Sequence, residues 1–192
     1  MLPSTPPHIY ITSDDTTFDP SILTSLTAES LPPTYLSHTS SRKDYLTTLR
    51  HLSDDLELGE KYAILAYGAA ASECLDFYTK PQPGCVALIA YYPDKIPNPK
   101  TKYPSHLEVL CHLCAGQGFA PAFPSYIYQA VRPGFAESDL GEYDAVAASL
   151  AWSRTLAVLR KAFSISAESV GLEQTWEAYQ STRFITLSLI HI

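Results

Sequence analysis

The chain has 192 residues, and its 13 Lys and Arg against 20 Asp and Glu leave a formal net charge of -7. That length suits one domain able to bury about 70% of its unfolded surface. The acidic balance disfavours nucleic acid and anionic membranes as partners, because phosphates call for clustered Lys and Arg. No run approaches the roughly 20 apolar residues that span a bilayer, and no basic-then-apolar leader opens the chain, so the expected location is the cytoplasm.

Residues 1–7 are rich in Pro and Ser and are expected to form a flexible lead-in. His8 to Thr12 is short, β-branched and aromatic, a first core strand, and Ser13-Asp14-Asp15 then makes a turn. Pro20 opens a helix to about Glu29, as proline favours the first helical turn. Thr34 to His38 reads as the second strand. Ser40 and Ser41 cap a longer helix running to Leu58, with Tyr45, Leu49, Leu52 and Leu56 along one face.

Tyr62 to Tyr67 is the third strand, followed by a helix from about Ala69 to Tyr78. Val86 to Tyr92 is an unbroken apolar run, as a parallel strand covered on both faces should be, and it is expected at the centre of the sheet. A Pro-rich connection over 93–104 precedes strands at His106 to Leu113 and Ser125 to Val131. Tyr143 to Phe163 is the longest helix, with Val146, Leu150, Trp152, Leu156 and Leu159 available for its buried side. Strands alternating with helices imply right-handed crossovers and a mostly parallel sheet with helices on both faces, an α/β fold whose ligands bind beyond the C-terminal strand ends.

The four cysteines, Cys74, Cys85, Cys111 and Cys114, are too few and irregular for a disulfide framework and read as free thiols. Cys111-His112-Leu113-Cys114 has the outline of a metal or redox motif, but no second ligand pair lies at zinc-finger spacing. In a strand, positions 111 and 114 point to opposite faces. Neither a metal nor a cofactor is expected.

Two segments carry the chemistry. Tyr62-Ala-Ile-Leu-Ala-Tyr-Gly-Ala-Ala-Ala-Ser72 runs from a buried strand through a tight, small-residue turn into a helix, the layout of a nucleophile elbow. Tyr128-Gln-Ala-Val-Arg-Pro-Gly-Phe-Ala136 reads as the last strand and a loop that ends at the same edge. Between them, no acidic residue occurs from Glu108 to Glu137.

Over residues 8–163 these features resemble the dienelactone hydrolase family of the α/β-hydrolase superfamily. The family's elbow, Gly-Tyr-Cys-x-Gly-Gly, aligns with Ala66-Tyr67-Gly68-Ala69-Ala70-Ala71, which places Gly68 on the nucleophile position. A register shifted by two residues would place Ala70 there, equally inert. The histidine before Gly-Phe becomes Pro133, and the acid's position holds only Gln117. The resemblance thus implies an α/β-hydrolase-like fold with a degenerate triad, without the usual hydrolysis, that binds a small organic molecule or a partner domain. The alternative is an ester or lactone hydrolase, or a lyase on an unsaturated or polyketide-like substrate, acting through other residues. Candidate pocket residues are Tyr67, Gly68, Ala69, Tyr92, His112, Gln117, Arg132 and Pro133. His112 reads more readily as a satisfied structural histidine than as a base, for want of a nucleophile beside it.

Residues 164–192 fall outside that match. Val170 to Tyr179 resembles a linker helix of fungal proteins that join such a domain to a SnoaL-like domain, a possible partner in longer homologues. The apolar stretch from Arg183 to Ile192 fits an altered or truncated terminus or an added edge strand, and it is expected to promote self-association if free.

Overall fold

The computed structural model describes residues 7–38, 41–98, 100–117 and 123–165. The linker segment over 170–179 and the apolar tail over 183–192 lie outside them. The described residues form six strands and four helices, which alternate as far as β4: β1 His8–Ser13, α1 Pro20–Ala28, β2 Pro33–Ser37, α2 Arg42–His51, β3 Tyr62–Tyr67, α3 Gly68–Phe77, β4 Cys85–Tyr91, β5 Glu108–Cys114, β6 Ser125–Tyr128 and α4 Ala145–Ala162. Every strand pairing is parallel, in the order β2-β1-β3-β4-β5-β6, so β4 is central as its apolar run requires. Side chains of α1 and α4 form one core with one face of the sheet. Those of α2 and α3 form a second core on the other face. Cys111 belongs to the second core and Cys114 to the first, on opposite faces as strand alternation demands. All four cysteines are buried and unpaired, and among the described residues no group of three or more His, Cys, Asp or Glu could hold a metal ion.

Local chemistry sets the element ends. Asp19 caps α1 by accepting the Ser21 N–H at 2.8 Å, with Pro20 at the first helical position. Ser41 caps α2 through the Asp44 N–H. That helix stops at His51 rather than running to Leu58, because Ser53, Asp54 and Asp55 favour turns over helix interior, although Leu52 still tucks into the core. β6 ends at Tyr128, short of Val131, where the chain turns through Ala130 at φ 61 and carries residues 133–138 back over the strand ends.

α4 departs further from its apolar pattern. Val146 is 72% and Leu150 48% exposed, while Ala147, Ala151, Thr155, Leu156 and Leu159 face the sheet. The sheet beneath presents Tyr91 and His112, so the helix first approaches it through Ala147, Ala151 and Thr155 and turns Val146 and Leu150 outward, while Leu156 and Leu159 pack inward further along. Among the described residues no helix is long and apolar enough to cross a membrane.

Candidate functional site

The chain passes from β1 to β2 on one side and continues into β3 on the other, which makes the C-terminal ends of β1 and β3 the switch point where such sheets hold ligands. A cleft of about 240 Å³ lies there. Ser13, Asp14 and Asp15 enter it after β1, and Tyr67 and Gly68 from the junction of β3 with α3. Tyr92 and Asp94 follow β4, and Pro133, Gly134, Glu137 and Leu140 come from the segment after β6.

β3 passes into α3 with no intervening loop, and Gly68 makes the turn at φ 60, a backbone conformation that side chains other than glycine rarely adopt. Gly68 thus occupies the strand-to-helix turn, and Ala70 lies fully buried within the helix. α3 has no side-chain cap of its own. Asp14 supplies one from the far side of the switch point, accepting the Ala69 N–H at 2.8 Å and the Ala70 N–H at 3.0 Å. A Cβ at position 68 would come within 2.6 Å of Asp14 Oδ2. His38, just beyond β2, places Nδ1 3.2 Å from the other oxygen of Asp14. The carboxylate therefore fills the positive end of the α3 helix dipole.

The nearby hydroxyl and thiol groups have partners elsewhere. Ser72 Oγ accepts the Lys95 N–H at 2.9 Å, and Ser13 Oγ bonds the Tyr35 hydroxyl at 2.8 Å. Cys74 lies buried beside Tyr45, and burial pushes its thiol up to about 12, so it carries no thiolate near neutral pH.

Of the residues expected to line a pocket, Tyr67, Gly68, Tyr92 and Pro133 meet in this cleft, and Ala69 contributes its N–H to Asp14. His112, Gln117 and Arg132 stand outside it. His112 lies within β5 rather than at its end and is fully buried. Its Nδ1 bonds the Tyr128 hydroxyl at 2.9 Å and its Nε2 the Thr155 hydroxyl at 3.1 Å. Burial, helped by the Arg154 charge, pushes it down to about 3, so the ring is neutral. Gln117 braces two loops, accepting the Cys114 N–H at 2.8 Å and donating to the Pro93 carbonyl at 2.9 Å. Arg132 is exposed on the surface.

Register across the sheet explains why His112 belongs to the core. Tyr67 pairs with Tyr91, Tyr91 with His112, and His112 with Tyr126, so four rings stand in one row. Centroid separations along that row are 4.5, 4.5 and 6.3 Å, and the Arg154 guanidinium closes it 3.8 Å from the Tyr126 ring centroid.

Sequence reasoning did not single out Asp14 and Glu137. Glu137 is 5% exposed, and its Oε1 accepts the Tyr92 hydroxyl. Burial, with the charges of Asp139, Asp15 and Asp19 behind it, pushes its carboxyl up to about 7. Tyr92 sits at φ 36, an uncommon and costly conformation for a bulky residue, held by its N–H bond to the His112 carbonyl at 2.7 Å. The available signals were positional. Asp14 directly follows the first strand, and Glu137 is the first carboxylate after the acid-free stretch, three residues beyond Gly134.

An all-parallel sheet with this order, a tight strand-to-helix turn at Gly68 and a switch-point cleft fit an α/β-hydrolase-like fold. Among solved structures, the fold is similar to the Putative Dienelactone Hydrolase of Klebsiella pneumoniae subsp. pneumoniae, at 12% identity and a TM-score of 0.59, over 82% of this chain and 88% of that one. RedJ, solved with a PEG molecule bound in its active site, matches at 8% identity and a TM-score of 0.43, over 78% of this chain and 90% of its own. No family model and no curated protein matches the chain. The fold is thus dienelactone-hydrolase-like.

Proposed function

We propose that this domain does not hydrolyse esters and instead uses the switch-point cleft to bind a small organic molecule. One observation carries the reading: the Asp14 carboxylate already takes the N–H groups of Ala69 and Ala70. In a hydrolase of this fold, the N–H following the nucleophile helps to hold the oxyanion. Negative charge developing there would meet the Asp14 carboxylate, and Gly68 offers no atom to attack a carbonyl. Pro133 cannot take a proton, and Gln117 is committed to two backbone groups. The test is a panel of aryl esters and enol lactones, for which no turnover above buffer is expected. Saturable hydrolysis that survives repurification and disappears on substitution of one cleft residue would overturn the proposal.

A second reading rests on Glu137. A buried carboxyl near neutrality, bonded to a strained tyrosine in a cleft, is equipped for proton transfer. On that reading the domain is a lyase or isomerase that moves a proton on an unsaturated carbonyl compound. Deuterium uptake from heavy water into such a compound, lost in Glu137→Gln, would favour it over binding alone.

A further inference from the structure

On the α1 and α4 face lies a second cavity of about 250 Å³, which shares only Tyr67 with the elbow cleft. It exists because α1 packs towards β2 while α4 covers β4 and β5, which leaves the C-terminal end of β3 between the helices. Tyr67 and Tyr91, stacked at 4.5 Å with their planes 8° apart, form its aromatic floor. Ala148 and Trp152 of α4 make one wall, and Ile22 of α1 faces them. We propose that this gap is a binding site for an uncharged phenol of one or two rings.

Three features set that chemistry. No charged side chain lines the gap, so an ionised ligand would lose its hydration there without gaining a partner. Its volume lies just below the roughly 300 Å³ at which pockets for drug-sized ligands begin, which suits a one- or two-ring compound. The polarity of two rim hydroxyls is also fixed. Ser21 Oγ donates to Asp19 Oδ1 at 2.7 Å, so its 2.8 Å contact with Ser138 is one in which Ser138 donates and Ser21 accepts. Ser138 is left with acceptor lone pairs only, and its natural complement is a ligand that brings a donor, such as a phenolic hydroxyl.

The walls are also held at a set spacing. Asp19 is 1% exposed and accepts from the Ser21 N–H at 2.8 Å and from the Ser138 N–H at 2.6 Å, tying the start of α1 to the segment before α4. Those hydrogen bonds outweigh burial and lower its pKa, so the tie remains charged at neutral pH. Such a preformed gap loses little on ordering when a ligand enters.

The test uses 2-naphthol with the intact protein, followed by calorimetry at pH 7, alongside naphthalene and 2-naphthoate. Saturable binding of 2-naphthol is expected, with 2-naphthoate at least tenfold weaker. Ser138→Ala should weaken 2-naphthol about fivefold and leave naphthalene unchanged. Ala148→Phe should fill the gap and abolish binding of all three, and Ser25→Leu narrows it from the α1 side should the first variant fold poorly. No saturable binding, equal affinity for the carboxylate, or affinity unchanged in both filled variants would overturn the proposal. Binding abolished by Pro133→Trp in the elbow cleft instead would assign the phenol to that cleft and equally refute this site.

Discussion

His112 and Glu137 are both ionisable side chains removed from water near the strand ends, and they are held in opposite ways. His112 has a hydroxyl on each ring nitrogen, aromatic neighbours on both sides and no route to either cavity. Glu137 has one identified partner, the Tyr92 hydroxyl, and lines the cleft with three aspartates near it. A closed polar network of the first kind rigidifies a core. An acid left at the wall of a cleft, with its proton retained to near neutrality, is poised for ligands. The residue type most suggestive of catalysis is therefore structural here, while the ionisable side chains that face the cleft are carboxylates.

The largest expected effect tests the closed side. His112→Ala should remove a packed ring and leave the Tyr128 and Thr155 hydroxyls without their partner, costing about 3–4 kcal/mol in denaturant unfolding. A loss below about 1 kcal/mol would show that the network is not structural.

pH separates the two sites. Glu137 holds its proton up to about 7 in the folded chain against an ordinary value of 4.5, so its contribution is fully present below 4.5 and is lost as the pH rises to about 7. His112 stays neutral in the folded chain down to about 3 against an ordinary 6.5, so its contribution is present above 6.5 and is lost as the pH falls. Between about 4.5 and 6.5 the two slopes oppose each other. Glu137→Gln should therefore become more stable relative to the parent by about 2–3 kcal/mol between pH 4.5 and 7. A difference that stays constant across that range would contradict the burial of this acid.

Restoring a nucleophile should fail. Gly68→Cys combined with Pro133→His places a Cβ at φ 60 and against Asp14, which should cost about 1–2 kcal/mol. It should also yield no efficient ester hydrolysis, because the position of the orienting acid holds Gln117, tied to two backbone groups, and Asp14 still occupies the helix N-terminus. Strong activity from that double variant would show that another acid serves.

The smallest effect concerns the sheet edges. β2 and β6 are its outer strands, and Tyr126 and Ile127 of β6 are about two-fifths exposed. Deleting residues 181–192 is expected to shift the protein towards monomer without lowering its melting temperature. Unchanged association with a lower melting temperature would make the tail a packed part of the domain.

The strands and helices were legible because each was a continuous run of one periodicity, and the apolar stretch at 86–92 marked the centre of the sheet. Gly68, Tyr67, Tyr92 and Pro133 were legible as cleft residues because the segments that follow strand ends in an α/β sheet border its crevice. Asp14 was not, because its role arises only when a turn after β1 meets a helix 55 residues later. Glu137 was hidden likewise, since its raised pKa comes from burial, with aspartates from distant segments adding to it, which no spacing along the chain reveals. His112 is a pocket candidate by residue type but reads more readily as a satisfied structural histidine, and its place within β5 sets its side chain into the core under α4.

The most direct measurement is amide hydrogen exchange at Ala69 and Ala70, whose positions in the first turn of α3 would ordinarily leave their N–H groups unprotected. With the elbow filled from within the chain, both should be protected, and Asp14→Ala should accelerate their exchange about tenfold, as expected for a bond worth about 1.4 kcal/mol, while Cys74 further along α3 is unchanged. Fast exchange of both amides in the parent protein, unaffected by the substitution, would mean that the oxyanion position stands open and would contradict the account.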